Sequence, residues 1–137
     1  MSEKGGCLCG QFSYSFPREA VVSAHHCHCT DCQKMTGSGK ATIIMVPTQT
    51  LETAGELKTF TVTGTDGGRV TRAFCPTCGS QILSYLEGRD ALKFVKAGTL
   101  EQSDWVTISS SFWATTARSW DPVKADAQAF ETNPSSV

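Results

Sequence analysis

Charge of either sign is scarce in this chain, and neither sign prevails. Its 137 residues carry 12 Lys and Arg against 13 Asp and Glu, a formal net charge of −1. That balance builds no basic surface to draw a polyanion, so no nucleic-acid partner is expected. Long apolar runs are missing too. No stretch approaches the roughly 20 apolar residues that span a bilayer, and the start, Met1-Ser2-Glu3-Lys4-Gly5-Gly6, lacks the basic-then-apolar order of a signal peptide. No membrane partner is expected either, and a reducing cytoplasm is the expected setting. With 18% of residues charged and 39% hydrophobic, little keeps the chain solvated, and its length suits one globular domain with a single core.

Helix signals are also few. The clearest is a turn or two over residues 30–36, with Thr30 as a possible N-cap and Gly37 as the stop. The rest reads as short strands and turns, so the fold is expected to be mostly β. Residues 11–16 alternate and place Phe12, Tyr14 and Phe16 on one face of a half-buried strand that Pro17 ends. Residues 41–46 predict a second strand, stopped by Pro47. Residues 59–63 and 69–74 flank Gly64-Thr65-Asp66-Gly67-Gly68 as a hairpin leading into Cys75. Further strands are expected over residues 81–86, 92–97 and 105–112. Trp113 and Trp120 are read as core rather than pocket walls. A polar stretch from Asp121 predicts a loose tail after Phe130.

What the chain does have is cysteine. All seven fall in three tight clusters: Cys7-Leu8-Cys9, Cys27-His28-Cys29-Thr30-Asp31-Cys32 and Cys75-Pro76-Thr77-Cys78. Cysteines one or two residues apart make cramped, reducible disulfides, whereas at a turn both sulfurs can aim at one metal ion. The seven divide as four plus three. Cys75-Pro76-Thr77-Cys78-Gly79 has zinc-knuckle chemistry, and Cys7-Leu8-Cys9-Gly10 is its nearest match, so these four thiolates are read as a closed structural site. Two other readings stay open: Cys7 and Cys9 as free buried thiols, or sulfurs paired differently between clusters.

Cys27, Cys29 and Cys32 then have no cysteine left as a fourth ligand. Three thiolates leave one position on zinc for water or a substrate thiol, which the metal would hold as thiolate. A histidine could instead close an inert site, with His25, His26 and His28 all within short reach. A redox thiol cluster without metal is the third reading.

The motifs Gly5-Gly6-Cys7-Leu8-Cys9-Gly10, Cys27-His28-Cys29-Thr30-Asp31-Cys32-Gln33-Lys34-Met35-Thr36-Gly37 and Phe74-Cys75-Pro76-Thr77-Cys78-Gly79-Ser80, in that order, closely resemble the glutathione-dependent formaldehyde-activating enzyme family, which includes centromere protein V. The resemblance runs from Gly5 to Trp120 and takes in Ala97-Gly98-Thr99-Leu100. It implies a twisted β-sandwich of the Mss4-like type over residues 1–120, followed by a C-terminal extension and tail over 121–137. It also implies two zinc ions per chain: a structural one on Cys7, Cys9, Cys75 and Cys78, and a catalytic one on Cys27, Cys29 and Cys32. The activity implied is that of S-(hydroxymethyl)glutathione synthase, formally a carbon–sulfur lyase, with glutathione and formaldehyde as partners.

Glutathione brings carboxylates, and Lys34, Lys40 and Arg118 are the cations read as binding it, with Arg69 and Arg72 as further candidates. Where many members carry a histidine-led segment and an Arg/Lys-Ala-Pro-Trp ending, this chain reads Ser111-Phe112-Trp113-Ala114-Thr115-Thr116-Ala117-Arg118-Ser119-Trp120. The resemblance therefore points to the metal sites more directly than to one thiol. Two functions stay open: a zinc enzyme making or breaking a carbon–sulfur bond, and a zinc-stabilised module that binds a thiol or a protein without turnover. The sequence leaves the oligomeric state open.

Overall fold

The structure, a computed structural model, describes residues 1–134; the last three residues of the expected tail lie outside the described residues. In chain order the elements are β1 (Ser2–Gly6), β2 (Ser13–Pro17), β3 (Ser23–Cys27), α1 (Thr30–Thr36), β4 (Ala41–Pro47), β5 (Glu52–Ala54), β6 (Lys58–Thr63), β7 (Arg69–Phe74), β8 (Gln81–Leu86), β9 (Leu92–Lys96), β10 (Ser110–Phe112) and β11 (Gln128–Ala129). The fold is mostly β, as expected. Among the described residues no helix is long and apolar enough to cross a membrane.

The chain forms two compact units where its length suggested one core. The first is Met1–Val22 with Ile44–Trp105, and the second is Ser23–Ile43 with the chain from Val106 onward. Length bounds how much surface can be buried, not how many centres bury it.

In the first unit β1, β2 and β5 form an antiparallel sheet in that order. Phe12, Tyr14 and Phe16 are buried on one face, as their alternation predicts, each worth about 2 kcal/mol of apolar burial. β6 through β9 form an antiparallel meander whose Ala73, Ile82, Leu83, Phe94 and Val95 are also buried. The expected hairpin is present, pairing Thr63 with Arg69. Its turn closes through Gly64 N–H to Gly68 O at 2.7 Å.

Both cysteine turns of this unit are hairpin loops. Cys7 N–H bonds Phe12 O at 3.1 Å between β1 and β2, and Gly10 takes a φ of 84°. Cys75 N–H bonds Ser80 O at 3.0 Å between β7 and β8, and Gly79 takes a φ of 79°. A side chain in that left-handed region would be strained, so glycine after each pair lets the loop fold back. A register shift at Ala73 and Phe74 re-aims the strand just before Cys75.

In the second unit β10 lies parallel to β3, pairing Ser110 with His25, Ser111 with His26 and Phe112 with Cys27, and parallel to β11 on its other edge. The strand expected over residues 105–112 shrinks to β10. α1 spans the expected residues and ends at Gly37, with φ of 70°. Its cap is Cys29 rather than Thr30, because the Cys29 Sγ accepts the Cys32 N–H at 3.2 Å and does what a serine oxygen does elsewhere. The segment read as the start of a loose tail is tied down instead. Phe130 N–H bonds Ser111 O at 2.9 Å, Ala114 N–H bonds Phe130 O at 2.9 Å, and Trp113 N–H bonds Thr132 O at 3.1 Å.

The tryptophans read as core are not core. Trp113 is half-buried at a φ of 60°, and its Nε1–H donates to Asn133 Oδ1 at 3.0 Å. Trp120 is 68% exposed.

Candidate metal centres

The structure gathers the cysteines as four and three. The sulfurs of Cys7, Cys9, Cys75 and Cys78 all lie within 4.8 Å of one another in the first unit, and those of Cys27, Cys29 and Cys32 do so in the second. Ligands 2.3 Å from a tetrahedral ion stand about 3.8 Å apart. Cys7 to Cys9 is 3.6 Å and Cys9 to Cys75 is 3.7 Å, so the four-sulfur group has the spacing of a zinc tetrahedron.

Backbone and side-chain donors serve these sulfurs. Phe12 N–H reaches Cys7 Sγ at 3.3 Å; Thr77 N–H and Cys78 N–H reach Cys75 Sγ at 3.4 Å; Gln11 Nε2 reaches it at 3.2 Å. Ser80 links the two loops, its Oγ accepting Leu8 N–H at 3.0 Å and lying 3.2 Å from Cys78 Sγ. The Ser80 hydroxyl, with the Ser80 and Cys9 backbone N–H groups, holds the Cys78 thiol down at about 5. Burial pushes the other way at Cys75, but the Cys78 N–H, the Gln11 amide and the Thr77 N–H lower it on balance. Cys9 goes up to about 12: the Gln11 N–H lowers it, and burial with the sulfurs of Cys7, Cys75 and Cys78 more than reverses that. Four clustered sulfurs cannot all ionise without a cation, and a dication reverses the sign of their repulsion. The donor set and spacing fit zinc.

The three-sulfur group sits where β3 runs into α1. Cys27 ends the strand, Cys29 caps the helix and Cys32 follows in its first turn. Cys27 and Cys32 are buried and Cys29 is half-buried, so Cys29 is the most accessible edge. The sulfurs of Cys29 and Cys32, then burial, push the Cys27 thiol up strongly. Cys29 is also raised, because contact with Cys27 lowers it while Cys32 and burial raise it by more.

No histidine joins this group. His25 stacks on Phe112 with ring centroids 3.8 Å apart, on the face of β3 that carries Cys27. His26 and His28 are two residues apart on the opposite face of that strand run, with ring centroids 6.2 Å apart. His28 is fully buried with neither ring nitrogen hydrogen-bonded. Burial, then the Lys40 charge, lowers His26 to about 4 and lowers His28 too. The histidine-closed reading thus finds no imidazole nitrogen among the three sulfurs.

The loop is braced from the other side of the unit. His28 N–H bonds Phe112 O at 3.0 Å. His28 O accepts from Gln33 Nε2 at 2.9 Å and from Thr116 Oγ1 at 2.8 Å. Gln33 also donates to Thr116 O at 3.0 Å, and its Oε1 accepts Arg118 Nε–H at 3.0 Å. Arg118 is therefore beside α1, while Lys40 is ion-paired with Asp121. Lys34, exposed on α1, makes no hydrogen bond or ion pair among the described residues. Arg69 pairs with Glu87 and Arg72 is buried in β7, both in the first unit. Sequence reasoning missed Gln33, Ser80, Thr116 and Asp121 as supporting residues. Only Gln33 had a local signal, standing four residues after Cys29 and so on its face of the helix.

Two surface concavities of about 330 and 260 Å³ lie in the first unit, lined by residues such as Phe12, Leu51 and Lys93 or Ser15, Phe16 and Glu52, and touch no cysteine.

A solved structure of a Rhodobacter sphaeroides protein is similar to this chain, with a TM-score of 0.57 and 21% identity, covering 74% of this chain and 91% of that one. At that identity the likeness speaks for the fold alone. No curated protein matches the sequence. The model of the glutathione-dependent formaldehyde-activating enzymes matches residues 2–116, a span that contains all seven cysteines. The chain belongs to the glutathione-dependent formaldehyde-activating enzyme family.

Proposed function

We propose that this protein is a zinc-dependent carbon–sulfur lyase that forms or cleaves the adduct of a small thiol with formaldehyde, glutathione being the thiol its family suggests. The carrying observation is three converging sulfurs with no His, Asp, Glu or further Cys ligand atom grouped with them among the described residues. In this reading Cys7, Cys9, Cys75 and Cys78 would hold a structural zinc, and Cys27, Cys29 and Cys32 would hold a second ion that a substrate thiol could join. That second ion supplies a cation that keeps an incoming thiol as thiolate at neutral pH, where a free thiol of pKa about 8.5 is mostly protonated.

The chain's own residues do the rest. Cys29, least buried of the three, faces the thiol's approach, and the Cys32 N–H fixes its sulfur. Gln33 and Thr116 lock the His28 carbonyl, so the run from Cys27 to Cys29 stays set as the guest arrives. The thiolate sulfur adds to the formaldehyde carbon, the carbonyl π pair moves to oxygen, and that oxygen gains the proton the thiol gave up. The reverse steps cleave the same carbon–sulfur bond, and no electrons are exchanged with another reactant. Lys34, Lys40 and Arg118 are the candidate partners for substrate carboxylates. Lys34 and Arg118 are exposed, whereas Lys40 would have to leave Asp121. A reducing compartment such as the cytoplasm suits seven free thiols.

The test is metal content together with exchange of formaldehyde onto glutathione, followed by NMR with and without protein. Two zinc ions per chain and acceleration over the spontaneous reaction are expected; two zinc ions without acceleration for any of a panel of thiols would sink the enzyme. The burial of Cys27 and Cys32 favours a second reading, a zinc-stabilised module that binds a thiol or a protein without turnover, and that last outcome would select it.

A further inference from the structure

The family match ends at residue 116, yet the chain just beyond it returns to α1. Arg118 is exposed, and among the described residues its side chain makes one hydrogen bond, from Nε to Gln33 Oε1. The way Gln33 is held decides what that bond leaves over. Both Gln33 amide hydrogens go to carbonyls, those of His28 and Thr116. Its Oε1 must therefore face Arg118, since the opposite orientation would set an NH₂ against the Nε–H donor and leave two carbonyls without their partner. With Nε occupied, the two terminal nitrogens of the exposed guanidinium make no hydrogen bond or ion pair among the described residues, and that fork can take a carboxylate in two parallel hydrogen bonds. The acid nearest in sequence, Asp121, is bound by Lys40 and does not fill that fork. Gln33 adjoins Cys32 in sequence and lies one helical turn from Cys29, which places the fork on the same face of α1 as the most accessible sulfur of the three.

We propose that Arg118, held by Gln33, is a carboxylate receptor that makes the three-sulfur site select acidic thiols over neutral ones of the same size. This rests on the thiol-binding reading of that site and deepens it. Arg118 touches the substrate; Gln33 is a positioning residue. Arg118 lies past the matched residues 2–116, whereas Gln33 and Thr116, which set its position, lie within them.

The experiment is calorimetric binding to the zinc-loaded full chain of two probes, glutathione and its diethyl ester, which keeps the thiol and loses both carboxylate charges. The wild type should bind glutathione about tenfold more tightly than the ester, the low end for a charge-assisted bond at an exposed site, and the preference should shrink as salt is raised. Arg118→Gln should bring the ratio close to one by weakening glutathione alone. Gln33→Leu should lower the ratio in part, because the guanidinium loses the acceptor that holds it. Equal binding of the two probes by the wild type, or an unchanged ratio in Arg118→Gln, overturns the proposal while leaving thiol binding standing. Binding of neither probe overturns the thiol site itself and this proposal with it. Arg118→Gln changes an exposed side chain, so a normal melting curve for that variant keeps the comparison valid even if Gln33→Leu folds poorly.

Discussion

Single donors decide how readily each sulfur gives up its proton. Cys78 is held at about 5 chiefly by the Ser80 hydroxyl, so its folded value lies below that of a thiol in the unfolded chain. The resulting stabilisation is present in full above the ordinary thiol range and is lost as pH falls toward about 5. Ser80→Ala removes the largest contribution. In an acid titration read with a colorimetric zinc chelator, release from the four-sulfur site should begin about one pH unit higher in this variant; coincident release curves would mean that Ser80 only links the loops. Cys29 caps α1 and, in the proposed site, is also a metal ligand, and a single substitution separates the two roles. Serine can still accept the Cys32 N–H, as oxygen caps do, but makes a poor zinc ligand. Cys29→Ser should keep the fold and drop the metal content from two ions to one, measured by elemental analysis beside circular dichroism. A loss of fold would make the three-sulfur group structural.

Among the elements, β1 shows how a segment with little apolar content becomes part of a sheet. Ser2–Gly6 reads as polar and flexible, yet it pairs along its whole length with β2. Gly5 opposes Tyr14 there, and a Cβ on Gly5 would stand 2.3 Å from the Tyr14 oxygen and 2.5 Å from the Thr99 carbonyl. The close approach lets Tyr14 lie flat on the strand and reach Thr99 Oγ1 at 2.7 Å. Gly5→Ala should cost about 1–3 kcal/mol, the usual penalty for overpacking a core, seen as a lower urea midpoint at unchanged slope. Wild-type stability in that variant would show that the strand can shift without loss. α1 is the converse case, since its seven residues are too few to be stable alone. It is held by the Cys29 cap, the Gly37 stop and the bonds of Gln33 to His28 and Thr116.

At the scale of the whole molecule each unit carries one complete cysteine group, and each is assembled from separate stretches of chain. In the first unit the four sulfurs bring residue 7 to residue 78, so a metal ion bound there would offset the entropy of closing a long loop and would itself be part of folding. In the second unit the closing piece is the segment after β11. Its residues 130–133 take the N–H groups of Trp113, Ala114 and Thr115 and the Trp113 indole, and Phe130 sets its ring edge against Phe112, 5.8 Å between centroids. Trp113 keeps its left-handed backbone only because these bonds surround it. Removing the chain from residue 130 onward should cost about 2–4 kcal/mol, at roughly 1 kcal/mol for each backbone bond lost. Hydrogen exchange at the amides of Trp113 and Ala114 should speed up by two orders of magnitude or more, by the same arithmetic. Unchanged protection at those amides would mean that β10 holds the turn unaided.

The three cysteine turns, the alternating face of Phe12, Tyr14 and Phe16, the hairpin from β6 to β7 and the extent of α1 were all legible in the chain as written, because each depends on neighbours a few residues apart. Strands β1, β3, β5 and β11 were not: Ser-Glu-Lys-Gly-Gly and Ser-Ala-His-His-Cys have no period that marks a strand, and all four become strands through their partners. The tryptophans failed as core for a related reason, since aromatic character states a preference for burial and not where space exists. The sequence by itself determined that the thiols stand in three tight turns able to aim at a metal ion, since ligand spacing within a turn is local chemistry. Only the tertiary structure decided that no histidine joins the three, that Ser80 bridges two loops, and that Gln33 meets Arg118 across 85 positions of chain, because contacts of that span are set by how strands pair and not by any residue's own preference.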